Sequence, residues 1–113
     1  MKDIYDVAVI GCGRMGGTID DEMWRYPRWK GPYSHAAGYT ACPRTRIVAA
    51  CDPVEEQRRT FGDRYGVQGE NLFADYRDML AAVPVDIVSV TTHAPLHCDA
   101  VLETVGAGVK AVF

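Results

Sequence analysis

Val7-Ala8-Val9-Ile10-Gly11-Cys12-Gly13-Arg14-Met15-Gly16 is the stretch whose reading decides the fold. Four apolar residues make a buried strand, the strand breaks at a glycine, and a G-x-G-x-x-G turn leads into a helix. A turn of this kind aims unpaired backbone N–H groups and the positive end of a helix dipole at whatever lies above it. The spacing gives each glycine a task. Gly11 allows the tight turn, Gly13 lets the backbone approach an anion with no Cβ in the way, and Gly16 permits close packing of helix on strand. Arg14 and Met15 belong to the same turn, and Arg14 is placed either to reach a phosphate or to lie solvated at the helix start. The anion that suits the cradle is the pyrophosphate of a dinucleotide.

Eleven glycines in the chain make a chance match easy, so the context has to carry the reading. A second apolar strand, Arg46–Cys51, ends at Asp52, where a carboxylate can accept hydrogen bonds from both adenine-ribose hydroxyls and would repel a 2′-phosphate. The expected cofactor is therefore NAD. Pro53, Glu55 and Glu56 after it read as the first turn of a helix, so Asp52 also suits an N-cap, and the two roles are compatible.

The 113 residues make about one domain with a real core. Twelve basic against fifteen acidic residues, a net charge of −3, offer no general attraction to nucleic acid or an anionic membrane. A small molecule is the expected partner. Cys12, Cys42, Cys51 and Cys98 show no C-x-x-C pairing, and Cys12 and Cys51 fall in or beside buried strands, which suits reduced thiols in a cytoplasmic protein. Met1–Asp6 has no signal-peptide pattern, and no apolar run approaches the roughly 18 residues of a membrane span.

Strand-like and helix-like segments alternate along the rest of the chain, as a parallel sheet with crossover helices requires. The first strand is Asp6–Ile10, followed by a helix with Met15, Ile19 and Met23 on one face. Arg46–Cys51 leads into a helix from Val54 to Tyr65, with Val54, Phe61 and Tyr65 inward and Gly66 as its left-handed stop. A short strand near Asn71–Ala74 precedes a helix capped by Asp75, with Tyr76, Met79 and Leu80 as its apolar residues. Asp86–Thr91 is a fourth strand. A helix over about Pro95–Val105, with Val101, Leu102 and Val105 inward, leads to a fifth strand, Val109–Phe113. Right-handed crossovers order these strands 3-2-1-4-5, a Rossmann-type doubly wound α/β sheet whose crevice lies between strands one and four. Gly11–Gly16, Asp52 and the Thr91-Thr92-His93 segment line that crevice.

With those segments in place the chain resembles the N-terminal half of the Gfo/Idh/MocA oxidoreductases, which include glucose–fructose oxidoreductase and inositol dehydrogenase. The likeness spans nearly the whole chain. It is carried by Val9–Gly16, His35-Ala36-Ala37-Gly38-Tyr39 before Ile47–Asp52, Tyr65-Gly66-Val67, Asp75-Tyr76-Arg77-Asp78-Met79-Leu80, Val85–Val90 and Leu96-His97. The family reads Thr-Pro-Asn-x-x-His after its fourth strand, beside the cofactor. Here the stretch is Thr92-His93-Ala94-Pro95-Leu96-His97, in which Thr92 and His97 match and His93 and Ala94 depart. The family then follows its fifth strand with Glu-Lys-Pro, whose lysine sits by the reacting carbon, and with a sixth strand and a substrate-binding second domain. None of these lies within the 113 residues. The resemblance thus implies the NAD-binding part of a dehydrogenase for a sugar, cyclitol or related hydroxyl compound, with no catalytic residue of its own. A free-standing NAD-binding or redox-sensing module and one subunit of a split dehydrogenase are the alternatives.

Asp20–Tyr33 stands outside the pattern as an insertion, aromatic and basic through Trp24, Arg25, Tyr26, Arg28, Trp29, Lys30 and Tyr33. It suits either a flap over the pyrophosphate or a wall of the substrate pocket, or a surface loop packed on its own aromatics or on a second domain. His93 and His97, four apart beside Cys98, have no third or fourth ligand at a metal-site spacing, and no metal is expected. His97 reads as a cofactor-side or helix-start residue, and His35 as a packing or capping residue. The unpaired edge left by a fifth strand makes self-association, a homo-oligomer, the expectation.

Overall fold

The computed structural model describes Asp3–Phe113 except Pro27 and Trp29. Trp29 of the insertion, like Met1 and Lys2 of the leader reading, therefore lies outside the described residues. Five parallel strands, β1 (Tyr5–Ile10), β2 (Thr45–Cys51), β3 (Leu72–Phe73), β4 (Ile87–Val90) and β5 (Ala111–Val112), form one sheet ordered β3-β2-β1-β4-β5. That is the order expected from the sequence. Strands three to five are shorter than expected, although ladder hydrogen bonds run on past β4 and β5 at Thr91 N to Ile10 O and Val90 N to Phe113 O.

Side chains alternate across the sheet and build a core on each face. Ala8 and Ile10 of β1 join Ala49, Cys51, Val88, Val90, Met79 and Ala100 under α3 (Tyr76–Ala82) and α4 (Ala94–Gly106). Val9 joins Ala50, Ala36, Phe61, Val67 and Cys12 under α1 (His35–Ala41) and α2 (Glu55–Tyr65). Asp75 caps α3 through Arg77 N at 2.8 Å, and Gly66 ends α2 at φ +74°, both as expected.

Three expectations about helices are corrected. The helix after the glycine turn is not continuous. One π-turn, Arg14–Thr18, passes into a 3₁₀ segment, Ile19–Arg25, and the crossover resumes as α1 only at His35. Asp20 closes the excursion, its Oδ1 accepting from Tyr33 N at 2.8 Å and Ser34 N at 3.4 Å. Ser34 then caps α1 through Ala37 N at 3.1 Å. The stretch between those short turns and His35 thus splits the first crossover helix, and Ala36 rather than Met15 packs on the sheet, Met15 remaining half-exposed.

Leu102 and Val105 of α4 point outward, being 64% and 62% exposed. The helix instead buries Ala100 and Thr104, whose hydroxyl is satisfied by the Ala100 carbonyl at 2.7 Å. Val101, by contrast, is partly buried against the core, as expected. Val54 is half-exposed, because α2 begins one residue later and turns Phe61 and Gly62 inward.

A buried polar link fastens α1 to β4. Ser89, fully buried, lies 2.9 Å from His35 Nδ1 and 2.6 Å from Tyr39 Oη. Accepting from Tyr39, the serine is free to donate to a neutral imidazole. Burial lowers the His35 pKa from its ordinary 6.5. Between those two values the unfolded chain binds a proton that the folded chain refuses. Stability is thus expected to be full above about pH 6.5 and to decline as the pH falls below it. Urea midpoints measured from pH 7.5 to 5.5 check this, and H35Q should flatten the slope in that window.

Candidate dinucleotide-binding site

The carboxyl ends of β1, β2 and β4 converge on the glycine turn. Gly11 N donates to Cys51 O and Thr91 N to Ile10 O, each at 2.8 Å, so the strands hold the turn from both sides. Thr91 Oγ1 adds hydrogen bonds to Ile10 O at 3.0 Å and Gly11 O at 2.8 Å. Gly11 takes φ +101°, and a Cβ there would lie 2.8 Å from Thr91 O. Both facts demand glycine.

Gly16 is constrained more severely. A Cβ on it would lie 2.0 Å from Gly11 O, so the start of the helix rests directly on the turn. Gly13 differs, since its Cβ position meets only the end of the Gln57 side chain, at 3.8 Å. The first helical hydrogen bond runs from Gly17 N to Gly13 O at 2.9 Å. Amides ahead of Gly17 have no acceptor within that turn, as at any helix start. The result is an open cradle of backbone donors whose walls exclude side chains except at the one glycine facing outward. It fits a diphosphate.

Asp52 stands at the mouth, 7% exposed, with its carboxylate turned toward the glycine turn. Oδ2 accepts from Cys12 N and Oδ1 from Val54 N, both at 2.9 Å. Val54, with no side-chain cap, occupies the N-cap position of α2, so Asp52 is not that helix's cap but closes a turn just before it. Its backbone is fixed as well, by Asp52 N to Phe73 O at 3.0 Å and Arg58 Nη1 to Asp52 O at 3.0 Å.

Among the other residues singled out, Arg14 pairs through Nε with Glu22 at 2.7 Å, which draws its guanidinium toward the insertion. Thr92 Oγ1 is buried and has no hydrogen-bond partner among the described residues, a polar atom at the same end of the sheet. His93 is the N-cap residue of α4, with no side-chain capping bond, and both His93 and His97 are exposed. Burial, reinforced by the Asp52 charge, pushes the Cys12 thiol far above its ordinary range, and burial pushes Cys51 to about 12. Both are held in the protonated thiol form, the less reactive one.

Sequence reasoning missed Gly17 and Gln57. Gly17 lies under α2, where a Cβ would be 2.9 Å from Phe61 Cδ2, and its carbonyl accepts from Tyr65 Oη. The doubled glycine after the motif was a usable signal. The end of the Gln57 side chain lies 2.8 Å from Asp52 Oδ2 and 3.3 Å from Oδ1; two carboxylate oxygens facing it assign the amide nitrogen rather than the oxygen to that position, a contact that no spacing rule anticipates. Among the described residues no helix is long and apolar enough to cross a membrane, and no three His, Cys, Asp or Glu side chains gather as metal ligands.

Residues 5–113 match the family model for the GFO_IDH_MocA oxidoreductase family, NAD-binding Rossmann fold. Inositol 2-dehydrogenase of Burkholderia multivorans is 33% identical over 107 residues, covering 95% of this chain and 27% of that enzyme. D-apiose dehydrogenase of Paraburkholderia graminis is 34% identical over 79 residues, covering 70% of this chain and 20% of that enzyme. Among solved structures, GenD2 from gentamicin A biosynthesis, in complex with NAD, superposes with a TM-score of 0.75 at 26% identity, over 99% of this chain and 27% of that one. The chain spans between a fifth and about a quarter of the length of these relatives. With the strand order, the glycine cradle and the acid at the end of β2 in place, the chain belongs to the Gfo/Idh/MocA oxidoreductase family and forms an NAD-binding Rossmann domain of that family.

Proposed function

We propose that the domain holds NAD for a dehydrogenase that moves hydride between the nicotinamide and a hydroxyl carbon of a sugar, cyclitol or related compound. The observation that carries this is the pairing of an open Gly13 with a buried Asp52 whose carboxylate is bonded to the turn itself, at Cys12 N. In this reading the amides of Gly13, Arg14, Met15 and Gly16 take the pyrophosphate, Gly11 shapes the turn, and Asp52 takes the adenine ribose. Thr91, Thr92, His93 and His97 line the side of the crevice leading to the nicotinamide, where the buried Thr92 hydroxyl awaits a partner. NAD supplies the hydride acceptor. The chain's own residues bind and orient it, and no residue here is assigned to proton transfer. The substrate class is supported by the inositol and apiose dehydrogenases to which the chain is similar. Titration calorimetry with NADH tests the reading. Measurable binding is expected, and no heat or competition at millimolar cofactor would overturn it.

We further propose that the chain on its own pairs with a second copy. β5 lies at the sheet edge, and Leu102, Val105 and Phe113 expose most of their side chains at that end of the fold. An unpaired edge beside apolar surface favours association. Sedimentation velocity should show dimers or larger species at micromolar concentration, and a monomer throughout would refute it.

A further inference from the structure

We propose that Gln57 sets the affinity and selectivity for cofactor by standing in for the adenine ribose on Asp52. This deepens the reading of Asp52 as the ribose acid and rests on it. A carboxylate offers about four lone-pair directions, two on each oxygen. Cys12 N uses one on Oδ2 and Val54 N one on Oδ1. One direction on each oxygen is left, which is what two adjacent ribose hydroxyls need.

With its amide oriented to donate to the carboxylate, Gln57 spans both, at 2.8 and 3.3 Å. The same end of the side chain lies 3.8 Å from the Cβ position of Gly13, so it lies across the mouth between the ribose acid and the pyrophosphate cradle. Gln57 is itself an exposed residue in the first turn of α2, free to swing into water. Binding of the diol therefore exchanges one set of donors for another. The glutamine is a competitor that the cofactor must displace, and its removal should strengthen binding.

Calorimetry on the full 113-residue chain and its Q57A variant, with NADH and with NADPH, tests this. Alanine is at least as good a helix former as glutamine, so the variant should fold, which circular dichroism verifies. Q57A is expected to bind NADH about three- to tenfold more tightly, the size of one displaced hydrogen bond. NADPH, whose 2′-phosphate faces the bare carboxylate, should gain nothing. Unchanged or weaker NADH binding by Q57A would overturn the inference, as would an equal gain for NADPH, which would make Gln57 mere bulk. If the unsubstituted chain bound no NADH, the proposed function would fail first, and this inference with it.

Discussion

Gly16→Ala should cost roughly 3 kcal/mol or more of stability, because the added methyl cannot be placed without moving the turn. Its Cβ would lie 2.0 Å from the Gly11 carbonyl oxygen, and that neighbour is backbone held in turn by Thr91 Oγ1 at 2.8 Å. Relief would mean prising the helix start off the strand and breaking the hydrogen bonds that join β1 to β4. In a thermal melt the midpoint should drop by more than about 10 °C. Gly13→Ala is the informative partner. Its methyl meets nothing closer than 3.8 Å and Gly13 has an ordinary extended backbone, so the melt should move by no more than about 2 °C. NADH affinity should nonetheless fall at least about tenfold, since the methyl occupies the space a diphosphate needs. The two glycines of one motif would thereby separate, one in the melt and the other in the titration. Equal melts would show that the contact at Gly16 relaxes without difficulty.

Asp52→Ala is expected to show both losses at once. Removing the carboxylate strands the buried Cys12 N–H and frees the turn before α2, at a cost of about 2 kcal/mol in urea denaturation. NADH affinity should weaken by about 1–3 kcal/mol through lost charge-assisted hydrogen bonds. Discrimination against NADPH should shrink, because the charge that repels a 2′-phosphate is gone. Asn would not rescue the fold. Its amide nitrogen would set a donor against one of the two backbone donors that Asp52 now satisfies. A variant as stable as the parent would show that water replaces the carboxylate at Cys12.

Much of this was legible in the residues. Val7–Ile10, Ile47–Cys51 and, Ser89 apart, Ile87–Val90 are apolar stretches that each run into a residue with a task at the same end of the sheet, Gly11, Asp52 and Thr91. Strand order followed from right-handed crossovers alone. What misled was the assumption that a helix buries its largest apolar residues. In α4 the core takes Ala100 and Thr104 and leaves Leu102 and Val105 outside, a rotation of the helix about its axis that apolar periodicity alone does not fix. The broken first helix was partly readable, since Ser34 ahead of His35-Ala36-Ala37 is a capping signal, yet the continuing Met15, Ile19, Met23 spacing suggested an unbroken helix. Gln57 on Asp52 was not readable at all. It depends on where a turn before α2 leaves a side chain five positions away.

The clasp at Asp20 carries an implication for how such a protein can change over generations. One side chain gathers the amides of Tyr33 and Ser34, so the excursion leaves and re-enters the helix at nearly the same point. Doubling a flexible loop adds only about 0.6 kcal/mol of closure entropy when its ends are already joined. Changes of length beyond Glu22, past the pairs that Asp21 and Glu22 make with Arg64 and Arg14, therefore reach the sheet mainly through ends that Asp20 already holds together, and that stretch is where the chain can be lengthened or shortened at least cost to the strands.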